Sequence, residues 1–286
     1  MIRPSVCGGA ALVLTLALLG APRLSEAQQR RVADVPYVPT PMEAVEGILK
    51  LAAPTSDDVV YDLGSGDGRI VIAAAERYGA RGMGVEIDAA LVSRATENAR
   101  AAGVADRVRF VRGDLFETDL RPASVVTLYL LSSLNLRLRP LLLEQLRPGT
   151  RVVSNSFGMG EWQPDSVVIV NLPDGGFGPR IYFWVVPARV AGTWDVSADG
   201  APVTLRIRQS FQKVEGTAVA GGKAYPVEDP VLRGDSIDFS LRLPGGDGSV
   251  EARRFAGRVS GDSMSGTWAG GRQGAGYAWN AVRRSP

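Results

Sequence analysis

The stretch Val59–Ala75, VVYDLGSGDGRIVIAAA, constrains this chain more than any other. The β-favouring residues Val59, Val60, Tyr61 and Leu63 run into alternate glycines at 64, 66 and 68, and from Ile70 the apolar residues take up helical spacing. The pattern predicts strand, tight turn and helix in succession. Gly64, Gly66 and Gly68 permit backbone torsions and a close approach that a Cβ would block. The new helix points unpaired N–H groups, and the positive end of its dipole, at whatever lies above the turn. Such a turn suits a ligand, and the rest of the sequence decides which one.

Strand and helix then alternate: strand 82–87, helix 89–102, strand 108–112, strand 125–130, helix 136–147 and strand 151–157. Regular alternation with apolar strands predicts a Rossmann-like, doubly wound parallel sheet. Strands 167–170 and 180–186 have no helix between them, only a loop with Gly175, Gly176 and Gly178. They predict an antiparallel hairpin that completes a seven-stranded α/β sheet at one edge. From about Ala188 the character changes to short alternating runs between glycine turns, at 193–196, 203–209, 216–219, 224–227, 236–243, 251–259, 263–268 and 277–282. They predict a small all-β antiparallel, barrel-like module. Gly192-Thr193-Trp194 and Gly266-Thr267-Trp268 lie near its opposite ends and are expected to mark strands that meet on closure, with both tryptophans in the core.

Ahead of the turn, residues 1–27 carry Arg3, an apolar run over 10–21 and Ser25-Glu26-Ala27, with small residues where a signal peptidase reads. The run is too short for an ordinary spanning helix and has the order of a secretory signal. The expected location is therefore periplasmic or secreted, the alternative being an uncleaved N-terminal segment that anchors the chain at a membrane. Cys7 precedes the apolar run and is not placed as a lipoprotein cysteine. The expected organisation is a signal peptide over 1–27, an α/β domain over 28–187 and the β module over 188–286. Thr40-Pro41-Met42-Glu43 has capping-box spacing, with Thr40 as cap and Pro41 at the first helical position. Val45, Ile48, Leu49 and Ala52 form the apolar face of the helix that follows.

Composition excludes much chemistry. The chain has no histidine and its one cysteine is Cys7, which removes a Cys/His zinc site, a histidine base, a cysteine nucleophile and a disulfide framework. No metal site is expected. Catalysis must use carboxylates, hydroxyls, backbone dipoles or a cofactor. A net charge of +2 leaves no strong nucleic-acid footprint, and no nucleic-acid partner is expected.

The acids identify the ligand class. A nicotinamide site would show G-x-G-x-x-G with an acid about 20 residues on. Here the spacing is G-x-G-x-G, and Asp62 and Asp67 flank it, which suits a ligand with positive charge better than a pyrophosphate. Glu86 closes the second strand, placed for a ribose diol, and Asp114 closes the third, within reach of an adenine amino group. Successive strand ends thus deliver acids to the edge where doubly wound sheets bind ligands.

This ordered set resembles the class I S-adenosylmethionine-dependent methyltransferases, over about residues 35–187. The resemblance implies S-adenosyl-L-methionine as cofactor, with Asp62, Gly64, Ser65, Gly66 and Asp67 among the residues that bind it. Of these, Gly64 and Gly66 are the ones implied to approach the methionine end; the resemblance also implies Glu86 on the ribose, and Asp114 with Leu115 framing the adenine. More narrowly, VPYVPTPMEAVEGILKL ahead of DLGSGDGRIV, together with Trp162-Gln163-Pro164, is similar to the family containing mitochondrial ATP synthase c-subunit lysine methyltransferase. That resemblance implies N-methylation of a lysine in a membrane protein, with Tyr37 and Thr40 helping to cover the cofactor. Methyl transfer to an amine needs a neutral nucleophile, yet the segment after strand four, Leu128-Tyr129-Leu130-Leu131-Ser132, has no acid. Tyr129 lines either the acceptor pocket or the core. The acceptor stays open between a protein lysine and a small molecule, and the β module is expected to position or bind it. A second reading is a non-catalytic adenosyl-ligand-binding or envelope interaction protein on the same fold.

Overall fold

Two sheets account for nearly all the strands of the structure, a computed structural model that describes residues 36–171, 176–198, 201–244, 249–270 and 276–284. The expected leader, residues 1–27, lies outside the described residues. No described helix is long and apolar enough to cross a membrane.

The first sheet contains β1 (Val59–Leu63), β2 (Arg81–Glu86), β3 (Val108–Arg112), β4 (Val125–Leu128), β5 (Arg151–Asn155), β6 (Ser166–Asn171) and β7 (Phe177–Val185) in the order β3-β2-β1-β4-β5-β7-β6. The first five are parallel, and the β6–β7 hairpin adds antiparallel to β5, so the expected doubly wound sheet with a terminal hairpin is present. Alternate strand residues face opposite layers. Tyr61, Leu63, Val126, Leu128 and Val152 pack with Leu134, Leu138 and Leu142 of α4 (Ser132–Gln145). Val60, Val125 and Val153 pack on the other side with Val45, Ile48 and Leu49 of α1 (Met42–Ala52) and Ile70 and Ala73 of α2 (Arg69–Tyr78). There α3 (Ala89–Ala101) packs against α2 through Ala99.

The capping box ahead of α1 does not form. The N-cap is Pro41, with no side-chain cap bond, and the helix begins at Met42. Arg69 Nη1 donates to the Thr40 carbonyl at 2.7 Å and draws that residue out of the capping position. Such a long-range contact leaves no trace in local spacing.

The second sheet is antiparallel throughout: β8 (Gly192–Ala198), β9 (Ala201–Ser210), β10 (Lys213–Ala220), β11 (Lys223–Pro226), β12 (Glu228–Arg233), β13 (Ser236–Pro244), β14 (Val250–Ser260), β15 (Ser263–Gly270) and β16 (Tyr277–Arg283). Its first strand, β8, pairs with its last, β16. The consecutive strands β11 and β12 pair with β10 and β13 respectively, so the sheet curls into a nearly closed barrel. Trp194, Trp268, Trp279, Phe239 and Phe255 fill it. Two expectations are corrected here. The sequence pattern misses β12, because Pro230, Asp229 at φ +48° and a register shift between Glu228 and Val231 break its alternation. The two Gly-Thr-Trp strands do not meet, since β16 lies between β8 and β15.

Both sheets belong to one compact unit. The barrel meets the first sheet at the edge where its parallel strands begin. A Cβ added to Gly234 would lie 2.9 Å from Cα of Gly149, just ahead of β5, and Ala188 N donates to Gly234 O at 2.7 Å. The β9–β10 turn reaches further in. The Phe211 ring stacks on Trp162, centroids 6.1 Å apart, with the Arg139 guanidinium 5.3 Å from its centre. Gln212 Nε2 donates to Gln163 O at 2.7 Å. The connecting residues 186–191 are fastened by Gln209, whose Oε1 accepts from Val190 N and Ala191 N and whose Nε2 donates to Ala188 O.

Candidate active site

The glycine turn folds because its N–H groups find partners beside it. Gly64 N and Ser65 N donate to Val85 O at 2.8 and 3.0 Å, and Gly66 N donates to Glu86 Oε2 at 2.9 Å. Gly64, Gly66 and Gly68 sit at φ +83°, +55° and +81°, the left-handed region that only glycine enters freely. β1 and β2 are thereby locked together at their C-terminal ends, opposite the edge the barrel occupies.

Asp62 is buried beneath the turn and takes one hydrogen bond, from Thr127 Oγ1 on β4 at 2.7 Å. Burial pushes its carboxyl up to about 7, against the pull of the Thr127 bond and with help from the negative charges of Glu86 and Asp67. Asp67 goes the other way: burial raises it, but the Arg69 guanidinium, at 2.9 Å through Nε and 2.6 Å through Nη2, outweighs that and holds it below the usual carboxylate range. Its charge is answered inside the turn by Arg69, which leaves Glu86 as the unanswered carboxylate there, joined by Asp62 once that group ionises. The Glu86 carboxylate is also partly committed, accepting from Ile87 N at 2.8 Å and Asp88 N at 3.0 Å in addition to Gly66 N. With about four lone-pair positions on a carboxylate, about one remains. Asp114 caps the 3₁₀ turn Leu115–Glu117, its Oδ1 accepting from Phe116 N at 2.9 Å, and Leu115 packs partly buried behind it.

The lead-in residues lie over the turn. A Cβ on Gly66 would fall on the Tyr37 ring, and the Tyr37 hydroxyl bonds Asp67. Burial and the Asp67 charge both push that phenol up. Thr40 is buried, its carbonyl held by Arg69. The Ser65 hydroxyl turns down onto Gly84 and has no hydrogen-bond partner. Beyond β1, Tyr129 stacks on Phe157, centroids 6.3 Å apart, so the ends of β4 and β5 share an aromatic pair.

Sequence reasoning missed several residues at this edge. Thr127 is the one polar residue in the otherwise apolar β4, and that contrast was a readable signal. Arg69 follows Asp67 at a spacing of two, another readable signal. Asn155 and Asn135 are buried with unpartnered amide atoms, and Ser156 sits at φ +65° directly after β5; nothing local announces these.

Known proteins share this arrangement. A family model for the ANTKMT methyltransferase domain matches residues 62–166, from Asp62 to the start of β6. A protein-lysine N-methyltransferase from Saccharolobus islandicus is 43% identical, spanning 54% of this chain and 96% of its own length. The chain belongs to the ANTKMT methyltransferase family. The mouse adenine nucleotide translocase lysine N-methyltransferase is 36% identical over 59% of this chain and 72% of itself. A crystal structure of an RNA methyltransferase from Salinibacter ruber in complex with S-adenosyl-L-homocysteine is 56% identical, with a TM-score of 0.50, covering 54% of this chain and 96% of that one. The family match ends ahead of β7 and the barrel.

The protein is thus an S-adenosylmethionine-dependent methyltransferase of class I. The turn fits that cofactor by its own features: a cradle a Cβ would fill, and buried acids converging from β1 and β2. S-adenosylmethionine supplies an activated methyl group, so the protein's task is alignment and exclusion of water. Asp62, a buried carboxyl poised near neutrality, gains most from a cationic neighbour.

Proposed function

We propose that this methyltransferase transfers a methyl group to a lysine side chain of a protein partner. The observation that carries the reading is the 43% identity to a protein-lysine N-methyltransferase across 96% of that enzyme. Several further relatives are lysine N-methyltransferases named for the c-subunit of ATP synthase, among them the Caenorhabditis elegans enzyme at 32% identity. Asp62 and Glu86 would hold the methionine ammonium and the ribose, Asp114 and Leu115 the adenine, with Gly64, Ser65, Gly66 and Asp67 shaping the cradle and Tyr37 and Thr40 covering it. The C-terminal edge, with the half-buried Tyr129 and Phe157 beside it, is where the reading places the entering side chain. Residues 1–27 would carry the protein across a membrane or anchor it there, and residues 28–187 and 188–286 would form its two mature domains.

The test is incubation of the purified mature chain with radiolabelled S-adenosylmethionine and an extract of cell-envelope proteins. Label on lysine, located by mass spectrometry, is the expected result; ligand binding without transfer to any protein sinks the reading and favours a non-catalytic binding protein. An RNA acceptor is a second reading, favoured by the 56% identity to the Salinibacter ruber enzyme. A net charge of +2 is poor footing for a polyanion, and label in an RNA fraction decides the point.

A further inference from the structure

Among the described residues the buried core of the barrel is hydrocarbon, with Gln209 at the end nearer the first sheet and a charged cluster at the other. Along β14 the side chains of Phe255 and Val259 point inward with the core, and the same alternation brings in Arg253 and Glu251. Only 12% of the Arg253 side chain is exposed, and its guanidinium lies 4.7 Å from the centre of the Trp268 ring. Tyr277, directly across from Trp268 on β16, stacks on that ring with centroids 4.8 Å apart. These residues sit where β14 begins, β15 ends and β16 begins, at the end of the barrel away from the Phe211 and Gly234 turns that meet the first sheet.

Two donors in this cluster are buried without an acceptor, Arg253 Nε and Trp268 Nε1. The other two tryptophans of the barrel core are satisfied: Trp194 Nε1 donates to Val190 O at 2.9 Å, and Trp279 Nε1 to Ala256 O at 3.1 Å. An unmet buried donor costs about 1–3 kcal/mol, and more when charged, so neighbouring orphans are not an economical way to build a core. Glu251 is the nearest counter-charge, but its Oε2 stands 3.6 Å from Arg253 Nη2, beyond hydrogen-bond reach, and the Glu251 side chain is 30% exposed.

We propose that this end of the barrel is a binding site for a small organic carboxylate. Both orphan groups only donate, so the missing partner is an acceptor, and a guanidinium selects an anionic one. The carboxylate oxygens would take the Arg253 Nε and Trp268 Nε1 hydrogens, while the body of the acid lies against the Trp268 and Tyr277 rings. Trp279, Phe255 and Phe239 fill the barrel below, so the ligand stays at the mouth. Glu251 competes for the same guanidinium and keeps the affinity low. The site lies away from the glycine turn and stands whatever the methyl acceptor proves to be.

Benzoate and decanoate, an aromatic and an aliphatic acid, are the probes, with methyl benzoate as the uncharged control, titrated into the full chain while tryptophan fluorescence and melting temperature are followed. One or both acids are expected to bind and raise the melting temperature, and methyl benzoate is not. Removing the competing charge in Glu251→Gln should tighten binding about tenfold. Arg253→Gln should abolish it; should that variant misfold, Trp268→Phe, which keeps the ring and deletes only the N–H, should weaken binding about tenfold. No binding of either acid at about 10 mM by the wild type and Glu251→Gln overturns the proposal, as does equal binding by methyl benzoate or by Trp268→Phe.

Discussion

The two sheets bury polar groups in opposite ways. In the first sheet most of them gather at one rim, because its first five strands are parallel and end there: Asp62 is next to last in β1 and Glu86 is last in β2. Among the described residues only Asp58 and Thr150 lie buried ahead of β1 and β5 at the other rim. In the barrel, strands alternate in direction, so no rim collects chemistry, and a polar group stands out only by facing inward, as Arg253 does. Direction therefore marks the site in one sheet, and side-chain parity marks it in the other.

Asp62→Asn should break the contrast most sharply. Between pH about 4 and about 7 the folded protein keeps a proton on Asp62 that the unfolded chain has lost, so the ligand-free fold is most stable on the acid side of that window and loses stability as pH rises through it. The amide removes that penalty. Its melting temperature should exceed the wild type's at pH 8 and match it near pH 4, while affinity for S-adenosylmethionine falls at least ~100-fold by calorimetry. In the wild type, cofactor binding should release a proton at pH 6 and little at pH 8, read from the buffer dependence of the binding heat. A variant that binds normally would remove Asp62 from the site.

Gly66→Ala places a Cβ at φ +55° against the Tyr37 ring and should lower cofactor affinity about tenfold or more, with equilibrium dialysis as the check. Phe211→Ala withdraws the ring wedged between Trp162 and Arg139 and should cost about 1–2 kcal/mol, splitting one calorimetric transition into two. Gln209→Ala frees the connecting residues and should expose 187–192 to limited proteolysis that the wild type resists. The smallest effect separates the tryptophans. Trp194→Phe should cost about 1 kcal/mol in urea unfolding for its lost bond to Val190 O, and Trp268→Phe, which loses no bond, should cost less.

Most of the rim was legible. Alternate glycines require positive φ, and acids ending apolar strands have few structural uses, so Val59–Ala75, Glu86 and Asp114 could be read from order alone. What could not be read was how each group is already occupied. Arg69 answers Asp67 from two residues away, but it also holds the Thr40 carbonyl across 29 residues of chain, and that second bond displaces the cap. Glu86 gives most of its capacity to backbone N–H groups that only the folded turn brings within reach. In the barrel, the alternation showed most strands, but β12 hides behind Pro230 and the left-handed Asp229. The edge on which the barrel docks depends on Gly149 and Gly234 meeting face to face, two small residues with no local signature.

Phe211 has a consequence in time rather than in space. Trp162, fully buried in the finished protein, has Phe211 as one of its covers. The last strand of the first sheet ends at Val185, so a ribosome adding about 5–20 residues per second completes that sheet roughly one to five seconds before it makes the residue that seals it. During that interval the nascent α/β lobe carries an uncovered indole. The β9–β10 hairpin then ends the exposure, which makes the C-terminal module a folding partner of the lobe that precedes it.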